Sequence, residues 1–166
     1  MERPLNTNTL AATALHDPPL PVRAKLAAAW TSFMFLYIYV DHLALYKPGV
    51  VDDILVGVVW EFAISQTLLT VFLTSVAIPI VMIVLSMTLR VRMARTLNLV
   101  VASLNIPFAM FNAVGESWTY FYGLSIALEV LLLAFILRSA WTWPRTASAS
   151  MPDPVAPSRS QIQMGR

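Results

Sequence analysis

The chain has 166 residues, of which 58% are hydrophobic and 12% are charged, and its net charge is +2. Soluble domains are about 25% charged, and here the apolar residues form long blocks, so the composition excludes an ordinary soluble protein and indicates one membrane domain. The absence of cysteine excludes disulfides and thiolate catalysis. The two histidines are far apart, and the basic residues flank apolar blocks, so we expect no metal, no cofactor and no nucleic-acid partner.

The first apolar block covers residues 26–46 and follows a polar, proline-containing segment, residues 1–22. That segment lacks a signal-peptide pattern and is predicted to be a disordered cytoplasmic tail. The block would be about 30 Å long as a helix, which is enough to cross the hydrocarbon core. The transmembrane domain is predicted to cover residues 23–143. Residues 144–166, rich in Pro and Ser, are predicted to be a second disordered cytoplasmic tail.

Residues 50–65 allow two interpretations. Asp52 and Asp53 are typical of a helix start and Trp60-Glu61 of a membrane interface, so we favour a short interfacial helix between the first and second spans. The alternative is that residues 54–78 form the second span. A hairpin of two spans within residues 54–89 is disfavoured, because it would leave the arginines that follow on the outer side.

The remaining spans are predicted at residues 66–89, 96–114 and 118–140. Pro79 and Pro107 lie inside two of these spans and predict a kink in each, since proline frees the carbonyl of the preceding turn, here Ser75 and Ser103. A short basic loop at residues 90–95 separates the second and third spans. A tight turn joins the third span to the fourth.

Charge gives the orientation. Basic residues would lie at one end of the four spans, at Arg23, Lys25, Arg90, Arg92, Arg95, Arg138 and Arg145. The opposite end would carry one basic residue, Lys47, with Asp41, Asp52, Asp53, Glu61 and Glu116. The positive-inside rule then predicts that both termini are cytoplasmic. The predicted fold is an all-α integral membrane four-helix bundle, multi-pass, with the lipid bilayer as its surroundings.

Polar residues inside the spans are the candidate functional groups. Asn98, Asn105 and Asn112 recur every seven residues and therefore share one helix face. Glu129 lies near the middle of the fourth span, where a charge costs roughly 2.5–3.5 kcal/mol, so it should face protein rather than lipid. Because short loops join neighbouring antiparallel helices, we expect Asn105 to face Glu129. Asp41, near the outer end of the first span, is expected to meet Asn112 or Gln66 at a similar depth.

The candidate ligand or proton site consists of Glu129, Asn105, Asn112, Asp41, Tyr37 and Gln66. Tyr37 is included because it shares a face with Trp30, Met34 and Asp41, an aromatic line able to flank a flat hydrophobic ligand. The alternative for these residues is helix packing, in which asparagines hydrogen-bond between helices. For Glu129 the alternative is a protonated carboxyl that donates one hydrogen bond to Asn105.

Catalytic patterns such as HExxH, GxSxG and the P-loop are absent from the sequence, which disfavours an enzyme without excluding one. The leading hypothesis is a membrane protein whose polar interior binds or moves a small amphipathic or lipid-like molecule, with proton coupling through Glu129. The alternative is a non-catalytic structural or partner subunit of a membrane complex, or a homo-oligomer.

Several fragments resemble a family of small four-helix bacterial membrane proteins classed as a domain of unknown function. They are Leu26 to Trp30, Phe35 to Asp41, Lys47-Pro48-Gly49, Ile78 to Met82 with Leu85-Ser86, Arg95 with Asn98, Gly115-Glu116 with Trp118, and Glu129 with Ala140 to Trp143. In the family an acidic residue precedes the Ile-Pro of the second span, but here that residue is Ala77, so a carboxylate there is not expected. The resemblance covers residues 24–143 and implies four spans in a bacterial inner membrane. It implies no activity.

Overall fold

The long apolar blocks of the sequence form long helices in a computed structural model, which describes residues 18–112 and 114–144. The predicted tails lie almost wholly outside the described residues. In chain order the described elements are α1 Val22–Ala44, α2 Val50–Leu55, β1 Val58–Val59, β2 Phe62–Ala63, α3 Gln66–Thr88, α4 Val91–Phe111 and α5 Thr119–Trp141. The chain is therefore mostly helical, with one small β-hairpin.

The four long helices pack side by side. Helix α1 packs against α3 and α5, while α4 packs mainly against α5 and less extensively against α3. This pattern places α1 diagonally opposite α4. The loose contact between α3 and α4 is notable because only two residues, Leu89 and Arg90, separate these helices.

Three of the described helices, α3, α4 and α5, are long and apolar enough to cross a membrane. Their outward surfaces carry large exposed apolar side chains, for example Leu73, which is 68% exposed, and Leu104. Polar side chains such as Asn98 and Glu129 are buried instead. An outward surface this rich in large apolar side chains, with polar side chains buried, is unlike that of a soluble protein and indicates a membrane protein.

The core lies toward one end of the long helices, where α1 and α4 begin and α3 and α5 end. We call this the basic end, because Arg23, Arg90, Arg95 and Arg138 lie there; the opposite end, with Asp41 and Glu116, is the acidic end. Fully buried apolar residues of the core are Leu26, Ala29, Trp30, Phe33, Met34, Met82, Ala102, Leu133, Ile136 and Ala140. Most of them belong to the basic half, so tight packing is concentrated there.

Arginines from neighbouring helices cap two helix ends. Arg23 Nη1 donates to the carbonyl of Met87 in the last turn of α3, at 2.6 Å. Arg95 Nε donates to the carbonyl of Ala140 in α5 at 3.2 Å, and its guanidinium lies 5.9 Å from the Trp141 ring centre. The last carbonyls of a helix have no partner in the helix and carry partial negative charge, so these contacts stabilise both ends.

The predicted basic loop at residues 90–95 is wrong. The structure confines the break to Leu89 and Arg90, whose backbone is extended, and α4 begins at Val91, so Arg92 and Arg95 are helical. Hydropathy marks where a segment leaves the hydrocarbon, whereas a helix continues through charged residues that favour helix. The same reason explains why α1 begins at Val22. Pro79 and Pro107 both lie inside helices, as predicted.

Residues 50–65 form a short helix only as far as Leu55. A hairpin follows, in which Val58 pairs with Ala63 and Val59 with Phe62. Gly57 has φ +82°, which ends the helix, and Trp60 in the turn has φ +53°. The alternative span over residues 54–78 is wrong, because Ser65 caps α3 by accepting a hydrogen bond from the Leu68 amide at 3.1 Å.

Candidate functional site

The buried asparagine at the basic end joins three helices. Trp30 Nε1 of α1 donates to Asn98 Oδ1 of α4 at 2.7 Å, across the diagonal. Asn98 Nδ2 donates to Ser86 Oγ of α3 at 3.1 Å and to the Ala94 carbonyl at 2.8 Å. Ser86 Oγ in turn lies 2.7 Å from the Met82 carbonyl. We call Trp30, Ser86 and Asn98 the Asn98 network.

Every polar atom of the Asn98 network has a partner, and all three side chains are fully buried. A network whose polar atoms all have partners has no bonding capacity left for a ligand. The sequence analysis identified Asn98 and Trp30 separately but missed their contact and missed Ser86. The signal was present: Pro79, Met82 and Ser86 recur at helical spacing on one face of α3.

Glu129 lies about 15 Å from the start of α5, since ten residues separate it from Thr119. Its side chain is only 5% exposed, which confirms that it points into the protein. The hydrogen bonds and salt bridges found within residues 18–112 and 114–144 do not include its carboxylate. Within the described residues, every fully buried side-chain nitrogen or oxygen has a hydrogen-bond partner. Because the Glu129 oxygens have none, they must retain some accessible surface.

Three further polar residues lie toward the acidic end of α1 and α4. Asn112 Nδ2 donates to the Tyr37 hydroxyl at 3.2 Å, a second link across the diagonal between α4 and α1. Asp41 lies one turn beyond Tyr37 on α1 and is exposed. Tyr37 and Asp41 both lie within electrostatic range of Glu129. We call Tyr37, Asp41, Asn112 and Glu129 the acidic cluster.

Two predicted site residues, Asn105 and Gln66, form no described hydrogen bond with the acidic cluster. Asn105 is half-buried, and its amide donates to the Val101 carbonyl of its own helix at 2.8 Å. No hydrogen bond between Asn105 and Glu129 occurs in the described part of the chain. Gln66 is exposed at the first position of α3, where it lines an open groove with Ser65 and Leu69. A second groove is lined by residues 117–121, and Glu129 lines neither groove.

An ion pair connects two loops at the acidic end. Lys47 Nζ lies 2.5 Å from Glu116 Oε2, and both side chains are largely shielded, at 16% and 15% exposure. The ammonium also lies 5.1 Å from the centre of the Tyr122 ring. Burial opposes the charge on Lys47, but the hydrogen bond to Glu116 and the attraction of Glu116 and Tyr122 prevail and raise the pKa of Lys47 above 10.5. We call this pair the Lys47–Glu116 clasp.

A comparison with protein families gives one match. The model of the family of unknown function DUF6326 matches residues 22–150, which include every described helix. The chain belongs to this family. The match confirms the resemblance to a family of unknown function. Searches of curated proteins and of solved structures found no match.

Proposed function

We propose that this member of DUF6326 is a four-span membrane protein whose acidic cluster binds or moves a small amphipathic or lipid-like molecule, with Glu129 carrying the coupled proton. The observation that carries this proposal is the Glu129 carboxylate itself: it is 5% exposed, yet has neither a hydrogen bond nor a salt bridge to any described residue. Ionisable groups in membrane helices usually pair with one another or mark a ligand or proton path.

The fourth span in this proposal is α1, which carries Arg23 and Lys25 in its first turn and Asp41 near its end. Two features support it. Helix α1 has the same length as α3 and packs against α3 and α5, and its outward side chains Phe35, Ile38 and Tyr39 are all more than half exposed. Apolar surface of that extent fits lipid.

The orientation and location follow from the two ends. Described arginines gather at the basic end, whereas the acidic end has one lysine, which Glu116 already neutralises. Under the positive-inside rule the basic end and both termini are cytoplasmic, which suits a bacterial inner membrane. The short helix α2 and the hairpin then lie at the outer surface, and the acidic cluster belongs to the outer half of the bundle.

The alternative function is that of a structural or partner subunit, including a homo-oligomer. The Asn98 network favours it, because a member of the asparagine stripe serves to hold helices together. The acidic cluster distinguishes the two functions. A subunit with a purely structural interior has no use for an unpaired carboxylate, which is costly at this depth.

The test is native mass spectrometry of the full chain released from lipid, which reports bound small molecules and copy number together. We expect a co-purified small molecule on the wild type that is lost in Glu129→Gln. The matched control is Glu61→Gln, the same change at an exposed carboxylate in the hairpin turn. Proton flux into liposomes should fall in Glu129→Gln alone. Unchanged ligand and flux in Glu129→Gln would refute the proposal.

A further inference from the structure

The acidic cluster contains two carboxyl groups and no basic side chain. Neither Asp41 nor Glu129 forms a salt bridge within the described ranges. The nearest lysine, Lys47, is engaged by Glu116. His42, next to Asp41, is exposed and its ring packs edge-on against Tyr46. The arginines lie at the basic end, about 27 Å from Asp41 along α1.

An aromatic ring lies beside the two carboxylates. Tyr37 is within electrostatic range of both, and the Phe33 ring lies 6.1 Å from it. The Asn112 amide donates to the Tyr37 hydroxyl and so holds the phenol in position. The faces of aromatic rings attract cations, and such contacts strengthen when water is excluded.

The acidic half of α3 and α4 presents exposed side chains outward. Residues 66–78 of α3, all of them described, include no buried residue, and Pro79 is the first that is buried. In α4 the outer residues Phe108 and Phe111 are exposed as well. A molecule dissolved in the bilayer would therefore contact these exposed side chains before it contacts the carboxylates.

We infer that the acidic cluster takes an amphipathic organic cation, a quaternary ammonium or phosphonium, whose positive charge lies between Asp41 and Glu129 beside the ring of Tyr37. This inference rests on the proposed function and adds the charge of the ligand. The buried and unpartnered Glu129 supplies the ion-pair partner. A divalent metal ion fits poorly, because it needs six or more oxygen ligands, whereas the described residues contain no group of three potential metal ligands.

The probe is radiolabelled tetraphenylphosphonium, measured at equilibrium on the purified full chain in detergent. Its matched counterpart is tetraphenylborate, which has the same shape and the opposite charge. We expect the phosphonium to bind saturably and the borate not to bind above the level of empty micelles. Glu129→Gln should weaken phosphonium binding at least about tenfold, and Asp41→Asn should weaken it in the same direction, since both remove a nearby negative charge.

Glu61→Gln is the control for a non-specific charge effect and should bind like the wild type. Equal phosphonium binding by wild type and Glu129→Gln would overturn the inference, as would binding of the borate alone or of neither probe. If Glu129→Gln does not fold, Asp41→Asn carries the test, and unchanged binding in that variant overturns the inference.

The two measurements, of the co-purified molecule and of phosphonium binding, test the cationic ligand and the binding function separately. A co-purified molecule that depends on Glu129 but is not displaced by the phosphonium would overturn the cationic ligand and leave the binding function standing. Loss of both the co-purified molecule and the phosphonium signal from the wild type would overturn both.

Discussion

The two ends of this molecule use the same asparagine stripe differently. At the basic end Asn98 is fully buried and saturated by Trp30 and Ser86. At the acidic end Asn112 is exposed and holds one hydroxyl, that of Tyr37, while Glu129 nearby has no described partner. Polar groups that are all satisfied fix a structure, whereas a buried group with spare bonding capacity is available to a ligand.

The largest expected effect concerns which end faces the cytoplasm. Because the chain has no cysteine, a single introduced thiol gives an unambiguous label. Ser117→Cys at the acidic end should react fully with a membrane-impermeant maleimide added to intact spheroplasts, and Arg90→Cys should react only after lysis. Both positions are exposed, so they are matched. The reverse pattern would invert the orientation, and labelling of both would exclude a single topology.

The next effect is a difference in stability between two variants of α4. Each replaces an asparagine by leucine, at positions seven residues apart. Asn98→Leu breaks the links among three helices and leaves the Trp30 indole without an acceptor, at a cost of about 3 kcal/mol. Asn105→Leu loses only a bond within its own helix and should cost less than about 1 kcal/mol. Thermal unfolding in the same detergent measures both. Equal destabilisation would show that the whole stripe is structural.

The smallest effect concerns the Lys47–Glu116 clasp. Glu116→Gln should lower the free energy of unfolding by about 1 kcal/mol, because the pair is shielded but still close to water. The pKa of Lys47 is raised, so the clasp contributes fully below pH 10.5 and its contribution is lost as the pH rises beyond that value. Unfolding at neutral and strongly alkaline pH should therefore differ for the wild type more than for Glu116→Gln. A difference of the same size in both would exclude the clasp as its source.

The sequence predicted the helices well because their length and hydropathy are local properties. The start of α3 after residue 65 and both intrahelical prolines agree with the structure. The hairpin at Val58–Ala63 was missed, because a glycine with positive φ ended the short helix earlier than the charge pattern indicated. The start of α4 was placed too late, because hydropathy reports depth in a membrane rather than backbone conformation.

The site was only partly predictable. Burial of Glu129 followed from the cost of exposing a carboxylate to lipid. Its predicted contact with Asn105 is not among the described hydrogen bonds, because the Asn105 amide donates within α4. Which helix faces contact each other depends on helix rotation and packing. A seven-residue repeat defines a face, but it does not identify the helix on the other side.

The most direct test of the central claim is the reaction of the full chain in lipid with dicyclohexylcarbodiimide, a hydrophobic reagent for carboxyl groups, mapped by peptide mass spectrometry. We expect an adduct on Glu129, because this carboxyl is buried among helices, has no described hydrogen bond and retains accessible surface. Glu129→Gln should abolish that adduct and leave the others. Modification confined to exposed carboxyls such as Asp52 and Glu61, with Glu129 untouched, would contradict the account.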